Sequence, residues 1–279
     1  MGGKSVPITD FPWAVQLISH GSRRIPSPDN PAKMVRATLD QECSGSLISD
    51  RYILTAAHCF FYKFEGEKIM SEKVSIYMGT KIWKDNGGLY EENMVLQKGL
   101  NLAMHENYIT FIDLITKPRE DDIAILKLPR PVTFNENKSP VCVNNVNIKL
   151  KTSDDVTVYP VSFAGWGDTT LNSDKTSKEG EVSSRELQAV VNVKLTGHVL
   201  MFNLVQKCKL GAPLKGDSGG AVVVRAHKKS CAFGFVDKER WEQIAVMSGA
   251  RMHTKCEECL KDKKRNCCAE DVCRFSLVQ

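Results

Sequence analysis

The chain has no long hydrophobic run. Its longest apolar stretch, around Val199 to Phe202, is far shorter than the roughly 18 residues that a membrane-spanning helix needs. Charge of one sign is not in large excess either, because the net charge is +5 and the two signs are interspersed. Internal repeats and long stretches of 3.6-residue hydrophobic periodicity are also lacking. We therefore expect neither a membrane nor a nucleic acid among the partners, and no coiled coil.

A secretory signal is missing from the start of the chain. Met1 is followed by neither a positively charged segment nor an apolar segment of the kind that signal peptides contain. Cysteine, in contrast, is abundant: the chain has ten, and five of them crowd between Cys256 and Cys273. Because so many cysteines favour an oxidising compartment, we expect the mature part of a secreted, extracellular protein.

Short β-type runs separated by turn residues make up most of the sequence. Their number, and the Gly, Pro, Asn and Asp residues between them, indicate an all-β sandwich or barrels and not alternating α/β units. Loop-like insertions are predicted at Gly21–Lys33, Asp113–Glu120 and Thr169–Glu181. The predicted strands are Trp13–Ile18, Gly45–Ile48, Val74–Met78, Ile123–Leu128, Val156–Phe163, Leu187–Lys194, Gly220–Val224 and Ile244–Ser248.

Three segments carry residue types that do chemistry together. Segment 54–59, LTAAHC, places His58 after an apolar strand, segment 121–128, DDIAILKL, opens a β-run with an acid, and segment 216–220, GDSGG, places Ser218 in a glycine-rich turn. A serine hydroxyl is a poor nucleophile until a base removes its proton, and the base needs an acid to fix its tautomer. Each segment alone could be a surface histidine, a strand cap or a tight turn. Their joint occurrence in this order indicates an acyl-transfer site.

These segments resemble the motifs of the chymotrypsin family of serine endopeptidases, which are TAAHC, a DIxLLKL-type strand and GDSGG. The resemblance extends from about residue 1 to about residue 250. It implies two six-stranded antiparallel β-barrels with the active site between them. Further similar segments are the start Met1-Gly-Gly with PWAVQL at 12–17, CSGSLI at 43–48, HENY at 105–108 and GWG at 165–167.

The resemblance also implies a role for each residue of the motifs. His58 would be the general base, Asp122 the orienting acid and Ser218 the nucleophile. The backbone N–H groups of Gly216 and Ser218 would form the oxyanion hole. Cys43 and Cys59 match the family disulfide that pins the histidine loop. No cofactor and no metal is implied.

The second half of the chain departs from the family pattern. Leu214 stands four residues before Ser218 where the family usually has a cysteine, and the usual C-terminal helix is replaced by a cysteine-rich tail. We expect a peptidase domain at 1–254, with the first barrel at about 1–135 and the second at about 136–254, and a disulfide-tied appendage at 255–279. Cys142 is a candidate partner for that tail. A zinc site is the alternative for Cys256, Cys259, Cys267, Cys268 and Cys273, although disulfides are favoured in an extracellular chain.

The resemblance gives a prediction about the substrate. The residue six before the nucleophile lies at the base of the family's specificity pocket, and here it is Ala212, so no carboxylate awaits Lys or Arg. The opposite wall aligns with Ser248-Gly249-Ala250. An apolar or small P1 residue is therefore expected.

Activation in the family depends on a new N-terminal amine that pairs with the acid beside the nucleophile, here Asp217. Aligning Gly2-Gly3 with the family glycines leaves no residue ahead of Met1 to carry that amine, so we expect a chain that begins at Met1 to be zymogen-like.

The overall expectation is a secreted, monomeric serine endopeptidase that acts on protein or peptide substrates and meets protein protease inhibitors. A catalytically silent homologue that binds or regulates is the alternative. A third hypothesis, an intracellular metal-binding protein built around the tail, explains none of the first 250 residues.

Overall fold

Strands form nearly all of the regular structure. A computed structural model of the chain describes residues 3–64, 67–110, 121–143, 159–167, 186–196, 203–204, 216–226, 240–251 and 273–278. This part contains one α-helix, α1 (Glu106–Thr110), and three short 3₁₀ helices. None of its helices has the length and apolar character that a membrane crossing requires. The expected all-β class is confirmed.

The first barrel is built from strands in the first half of the chain. Seven of them form one antiparallel sheet in the order β8-β7-β2-β3-β4-β10-β9, while β5 and β6 pair as a separate hairpin. The sheet has seven strands and not six because a turn at 97–101 divides two short extended segments from each other. The strands are β1 (Lys4–Ser5), β2 (Ala14–Ser27), β3 (Asn30–Leu47), β4 (Tyr52–Thr55), β5 (Phe61–Phe64), β6 (Glu67–Met70), β7 (Lys73–Met78), β8 (Leu89–Val95), β9 (Leu102–Met104) and β10 (Ala124–Lys127).

The second barrel is a closed ring. Six strands pair antiparallel in the cycle β12-β13-β14-β17-β16-β15 and back to β12, which is the six-stranded barrel that the sequence predicts. β1 adds to this sheet beside β13, and β11 runs parallel to β16. The strands are β11 (Cys142–Val143), β12 (Tyr159–Gly165), β13 (Gln188–Thr196), β14 (Asn203–Leu204), β15 (Ala221–Ala226), β16 (Arg240–Arg251) and β17 (Cys273–Val278).

The end of the chain is part of this ring. The sequence predicts an appendage after residue 254, but β17 pairs with β16 from Val246↔Val278 to Arg251↔Arg274 and with β14 at its start. β17 joins β14 to β16, so it closes the second barrel. The sequence CRFSLV mixes apolar and polar residues in a short run, as a strand with one buried face does. The other tail cysteines, from Cys256 to Cys268, lie outside the described residues.

A long β-hairpin replaces the first predicted loop. β2 continues to Ser27 and β3 begins at Asn30, so most of the segment Gly21–Lys33 is paired strand. Register runs unbroken from Ala14↔Ser46 to Pro26↔Met34. β7 pairs only with the first part of β2, up to His20, and so the rest of the hairpin extends past the sheet. The predicted insertions Asp113–Glu120 and Thr169–Glu181 lie outside the described residues.

Aromatic and polar contacts join the two barrels. Phe11 and Trp13, which precede β2, pack against Trp241 of β16 with ring centroids 6.0 and 6.2 Å apart. Elsewhere, the fully buried Ser46 of β3 donates a hydrogen bond to Oε1 of Gln243 at 2.7 Å. Buried hydrogen bonds of this kind fix the relative position of two packed sheets, because breaking one leaves a polar group without a partner in the interior. These contacts help to hold the two barrels together.

Candidate active site

The histidine segment is anchored through its backbone. His58 lies in a 3₁₀ turn, Ala57–Phe60, that follows β4 directly. The carbonyl of His58 accepts a hydrogen bond from Gln41 Nε2 at 3.3 Å, and that of Cys59 accepts one from Ser19 Oγ at 2.6 Å. A disulfide joins Cys59 to Cys43 on β3. These bonds fix the main chain, so the imidazole projects from a rigid base.

Asp122 receives three hydrogen bonds at one buried carboxylate. Its Oδ1 accepts from the backbone N–H of His58 at 2.8 Å, and its Oδ2 lies 2.7 Å from His58 Nδ1. Oδ2 also accepts a hydrogen bond from the Ser248 hydroxyl. Burial alone would raise the pKa of Asp122, but the charge of His58 and the bonds from His58 and Ser248 hold that pKa below its usual value. The carboxyl group is therefore ionised at neutral pH.

The ionised acid fixes the tautomer of the histidine. A carboxylate only accepts hydrogen bonds, so His58 Nδ1 must carry the hydrogen that points at Asp122. In the neutral imidazole the other nitrogen, Nε2, then has a free lone pair. His58 is partly accessible, with 12% of its side chain exposed, whereas Asp122 has none. The ring can thus take a proton from a group on its open side.

Glycines give the Ser218 turn its shape. Gly216 and Gly219 have φ values of +97° and +85°, which L side chains rarely adopt. A Cβ on Gly219 would also lie 2.1 Å from Thr55 Oγ1 and 2.2 Å from the carbonyl oxygen of Ser44. The turn therefore rests against the first barrel with no room for a side chain, and Ser218 lies between the two glycines.

Among the described residues, the proposed reacting atoms form no hydrogen bonds that would occupy them. Ser218 lies beside the histidine segment, because its carbonyl oxygen accepts from Ser44 N–H at 2.7 Å and lies 3.7 Å from Cys59 Sγ. Within the described part of the chain, Ser218 Oγ and His58 Nε2 make no hydrogen bond, to each other or to another group. The N–H groups of Gly216 and Ser218 likewise donate none there. Such contacts are often long before substrate binds.

The side chain of Asp217 contacts the backbone of the segment 165–167. Its Oδ1 accepts the backbone N–H of Gly167 at 2.8 Å, and 8% of the residue is exposed. The close approach requires glycine, since a Cβ on Gly165 would lie 2.2 Å from the same oxygen. The sequence predicts that Asp217 pairs with an amine on a residue ahead of Met1, and residues 1 and 2 lie outside the described residues, so that contact stays a prediction.

The three residues predicted to line the specificity pocket differ in what the structure shows of them. Ala212 lies outside the described residues. Ser248 is fully buried on β16, and its hydroxyl faces Asp122. Ala250 follows on the same strand and pairs with Phe275 of β17, so the predicted wall is backed by the last strand of the chain. Pocket roles for all three stay predictions.

A metal at the histidine segment is incompatible with its chemistry. Cys43, His58 and Cys59 place one possible ligand atom each within 4.8 Å of one another. Both sulfurs are joined in a disulfide, however, and metals bind thiolates. Cys142 is also disulfide-bonded, and its partner lies outside the residues whose side chains are described.

The sequence did not point to the contacts of two serines. Ser248 was expected in a pocket wall, but its hydroxyl is the third donor to Asp122. Ser44 has no role in the sequence analysis beyond its place in the segment CSGSLI, yet its Oγ donates to the carbonyl oxygen of Gly216 at 3.0 Å. Both contacts cross between barrels, over sequence separations of 126 and 172 residues, and local patterns carry no signal for them.

Comparison with known proteins agrees with this geometry. The family model described as Trypsin matches residues 1–256. Serine protease 7 of Drosophila melanogaster is 32% identical over 148 residues, which are 52% of this chain and 36% of that protein. A venom protease of Bombus pensylvanicus is 29% identical over 167 residues, which are 60% of this chain and 57% of that protein. Each match spans less than two thirds of the relative's own length. With its two barrels and the motif residues gathered at their junction, the chain belongs to the trypsin family.

Proposed function

We propose that the chain is a serine endopeptidase that hydrolyses peptide bonds through an acyl-enzyme. The observation that carries the proposal is the buried Asp122 carboxylate bonded to His58 Nδ1, with Ser218 in the adjoining glycine turn. This is the arrangement that turns a serine into a nucleophile. The two protease relatives support the same reaction class.

The chemistry follows from the tautomer of His58. Nε2 takes the proton of Ser218 Oγ as that oxygen forms a bond to the substrate carbonyl carbon, and the carbonyl π electrons move to oxygen. The N–H groups of Gly216 and Ser218 would stabilise this oxyanion, and each such donor typically contributes about 3–4 kcal/mol. His58 then gives the proton to the leaving amine as the C–N bond breaks. Water repeats the sequence to release the acid.

For the substrate we propose an apolar or small residue at P1. The proposal depends on the aligned positions of Ala212 and Ala250, neither of which offers a carboxylate. A Lys or Arg side chain enclosed there would lose its hydration without gaining an ionic partner, which is costly. Profiling with a mixed peptide library measures the preference, and a strong selection of Arg at P1 would show that these two positions are misplaced.

Secretion and partners form the last part of the proposal. The Cys43–Cys59 disulfide is of the kind that forms in oxidising compartments, so we propose an extracellular protein. Its partners would be protein or peptide substrates and protein protease inhibitors, and we propose that it acts as a monomer.

Labelling with a fluorophosphonate tests the proposed function. The probe is attacked by a serine only when a base and an oxyanion hole assist it. We therefore expect Ser218 to be labelled rapidly in an activated form, which carries an Ile or Val ahead of Met1 exposed by a specific protease, and slowly in a chain that begins at Met1. Ser218→Ala should abolish labelling while the unfolding transition stays in place. Ser46→Ala is the control, because it removes a buried hydroxyl that contacts Gln243 instead. An unlabelled Ser218 in the folded, activated form would contradict the proposal.

One observation favours a second candidate, a silent homologue that binds without catalysis. Ser218 Oγ and His58 Nε2 are not hydrogen-bonded to each other among the described residues. If the two atoms cannot approach in the folded protein, the labelling just described will fail even though the fold is intact. The ionised Asp122 and the unused N–H groups of the turn support the enzyme over this candidate.

A further inference from the structure

Ser44 contacts the nucleophile turn through both its side chain and its backbone. The residue is buried on β3, with 1% of its surface exposed. Its N–H donates to the carbonyl oxygen of Ser218 at 2.7 Å, and its Oγ donates to the carbonyl oxygen of Gly216 at 3.0 Å. The carbonyl of Ser44 in turn accepts from Thr55 Oγ1 at 2.8 Å, on the strand that leads into the histidine segment.

The backbone of Gly216 needs a constraint from outside the turn. Glycine adopts its φ of +97° no more readily than many other values, so the backbone alone does not fix the direction of the Gly216 N–H group. On one side the backbone of Gly167 would be 3.0 Å from a Cβ at this position and so limits movement. On the other side the Ser44 hydroxyl holds the carbonyl oxygen.

We propose that the Ser44 hydroxyl is a positioning group that fixes Gly216 so that its N–H points at the oxyanion. The inference depends on the proposed peptidase function. A hydrogen bond to the Gly216 carbonyl restrains ψ of that residue, and the backbone bond to Ser218 fixes the other end of the turn. The first barrel, which carries His58, thereby sets the direction of two donors on the second barrel. Ser44 itself touches no reacting atom.

The test compares Ser44→Ala with Ser46→Ala. Both serines lie on β3, both are buried, and both donate to the second barrel, but only Ser44 contacts the turn. We expect Ser44→Ala to lower both the rate constant of fluorophosphonate labelling and kcat by about tenfold, with KM changed less than about twofold. Ser46→Ala should leave all three values unchanged and lower only the resistance to denaturant. A fall in kcat and in labelling rate with little change in KM, in Ser44→Ala alone, distinguishes positioning from the loss of stability that both variants share.

Normalising each rate to the final labelled fraction removes the effect of unfolded protein. Should Ser44→Ala yield no folded chain, Ser44→Gly removes the same hydroxyl at the same site, and we expect the same tenfold loss. Equal labelling rates in either Ser44 variant and in the unsubstituted chain would overturn the inference. All chains are compared in the activated form. A lack of labelling in the activated, unsubstituted chain would overturn the proposed function instead, so the two failures are distinguishable.

Discussion

Asp122 shows how a buried charge is kept ionised in this fold. Moving a carboxylate out of water is costly, and the cost is offset only when hydrogen bonds satisfy its lone pairs. His58 supplies two of these bonds and Ser248 the third. Because Ser248 lies on the second barrel, all three donors reach Asp122 only when both barrels are in place.

Ser248→Ala tests whether the third hydrogen bond to Asp122 supports activity. Removing the hydroxyl withdraws a donor from Asp122, so the pKa of that carboxyl should rise toward its usual value and His58 should be held less firmly. We expect kcat to fall about three- to tenfold and the free energy of unfolding to fall by about 1–2 kcal/mol. Peptide hydrolysis and urea unfolding measure the two effects. Ser75→Ala, which removes a buried hydroxyl bonded to His20, should lower stability without changing kcat. Equal kcat values in both variants would contradict the role given to Ser248.

Residues in local motifs were predictable, whereas contacts between distant segments were not. The segments of His58, Asp122 and Ser218 each carry their signal within five to eight neighbouring residues, and the structure places His58 and Asp122 in direct contact. Ser248 was assigned to a wall by alignment alone. Its bond to Asp122 depends on how the barrels pack, which no pattern around residue 248 encodes.

At the scale of elements, the predicted strands were reliable and the predicted loops were less so. All eight predicted β-runs overlap strands of the structure. The sequence predicts a loop at Gly21–Lys33, which contains Pro26, Pro28 and Pro31, yet cross-strand pairing there extends to Pro26↔Met34. The hairpin there projects past the sheet, where a strand residue without an N–H is tolerated. In the folded chain, pairing with the long partner strand outweighs these local breakers.

We expect β17 to be required for the stability of the second barrel. A chain that ends at Cys273 lacks Arg274–Val278, so β16 and β14 lose the partner that closes the ring. Open edges expose unpaired N–H and C=O groups and favour aggregation. We expect a loss of at least about 4 kcal/mol in the free energy of unfolding, together with loss of fluorophosphonate labelling. A chain lacking only Gln279 keeps the strand and is the matched control. If the shortened chain unfolded at the same urea concentration as the control, β17 would not be needed to close the barrel.

At the scale of the molecule, the candidate site belongs to neither barrel alone. His58 and Asp122 flank strands of the first sheet, while Ser218 and Ser248 lie at β15 and on β16 of the second. Ser44 and Asp122 each take part in hydrogen bonds that cross between the two. Separation of the two barrels should therefore abolish the site even where each barrel stays folded.

The pH dependence of stability follows from the charge at this junction. Folding lowers the pKa of Asp122 below the value of about 3.9 that an unfolded chain gives it. The sign is that of a depressed carboxyl: its contribution is fully present above about pH 5 and is lost as the pH falls below about 4, through the folded-state pKa. Each unit by which folding lowers the pKa corresponds to about 1.4 kcal/mol.

Asp122→Asn removes this contribution, so the variant should be less stable than the unsubstituted chain at pH 7. The gap in the free energy of unfolding should narrow steadily as the pH is lowered from 5 to 3, because the unsubstituted chain then loses what the variant never had. Urea unfolding at several pH values gives the gap directly. Ser46→Ala also breaks a buried bond between the barrels, but it removes no titrating group, and so its gap should not change with pH. A gap for Asp122→Asn that is as constant as that of Ser46→Ala would mean that folding does not lower the pKa of this carboxyl. The hydrogen bonds from His58 and Ser248 would then stabilise the carboxylate no more than water does.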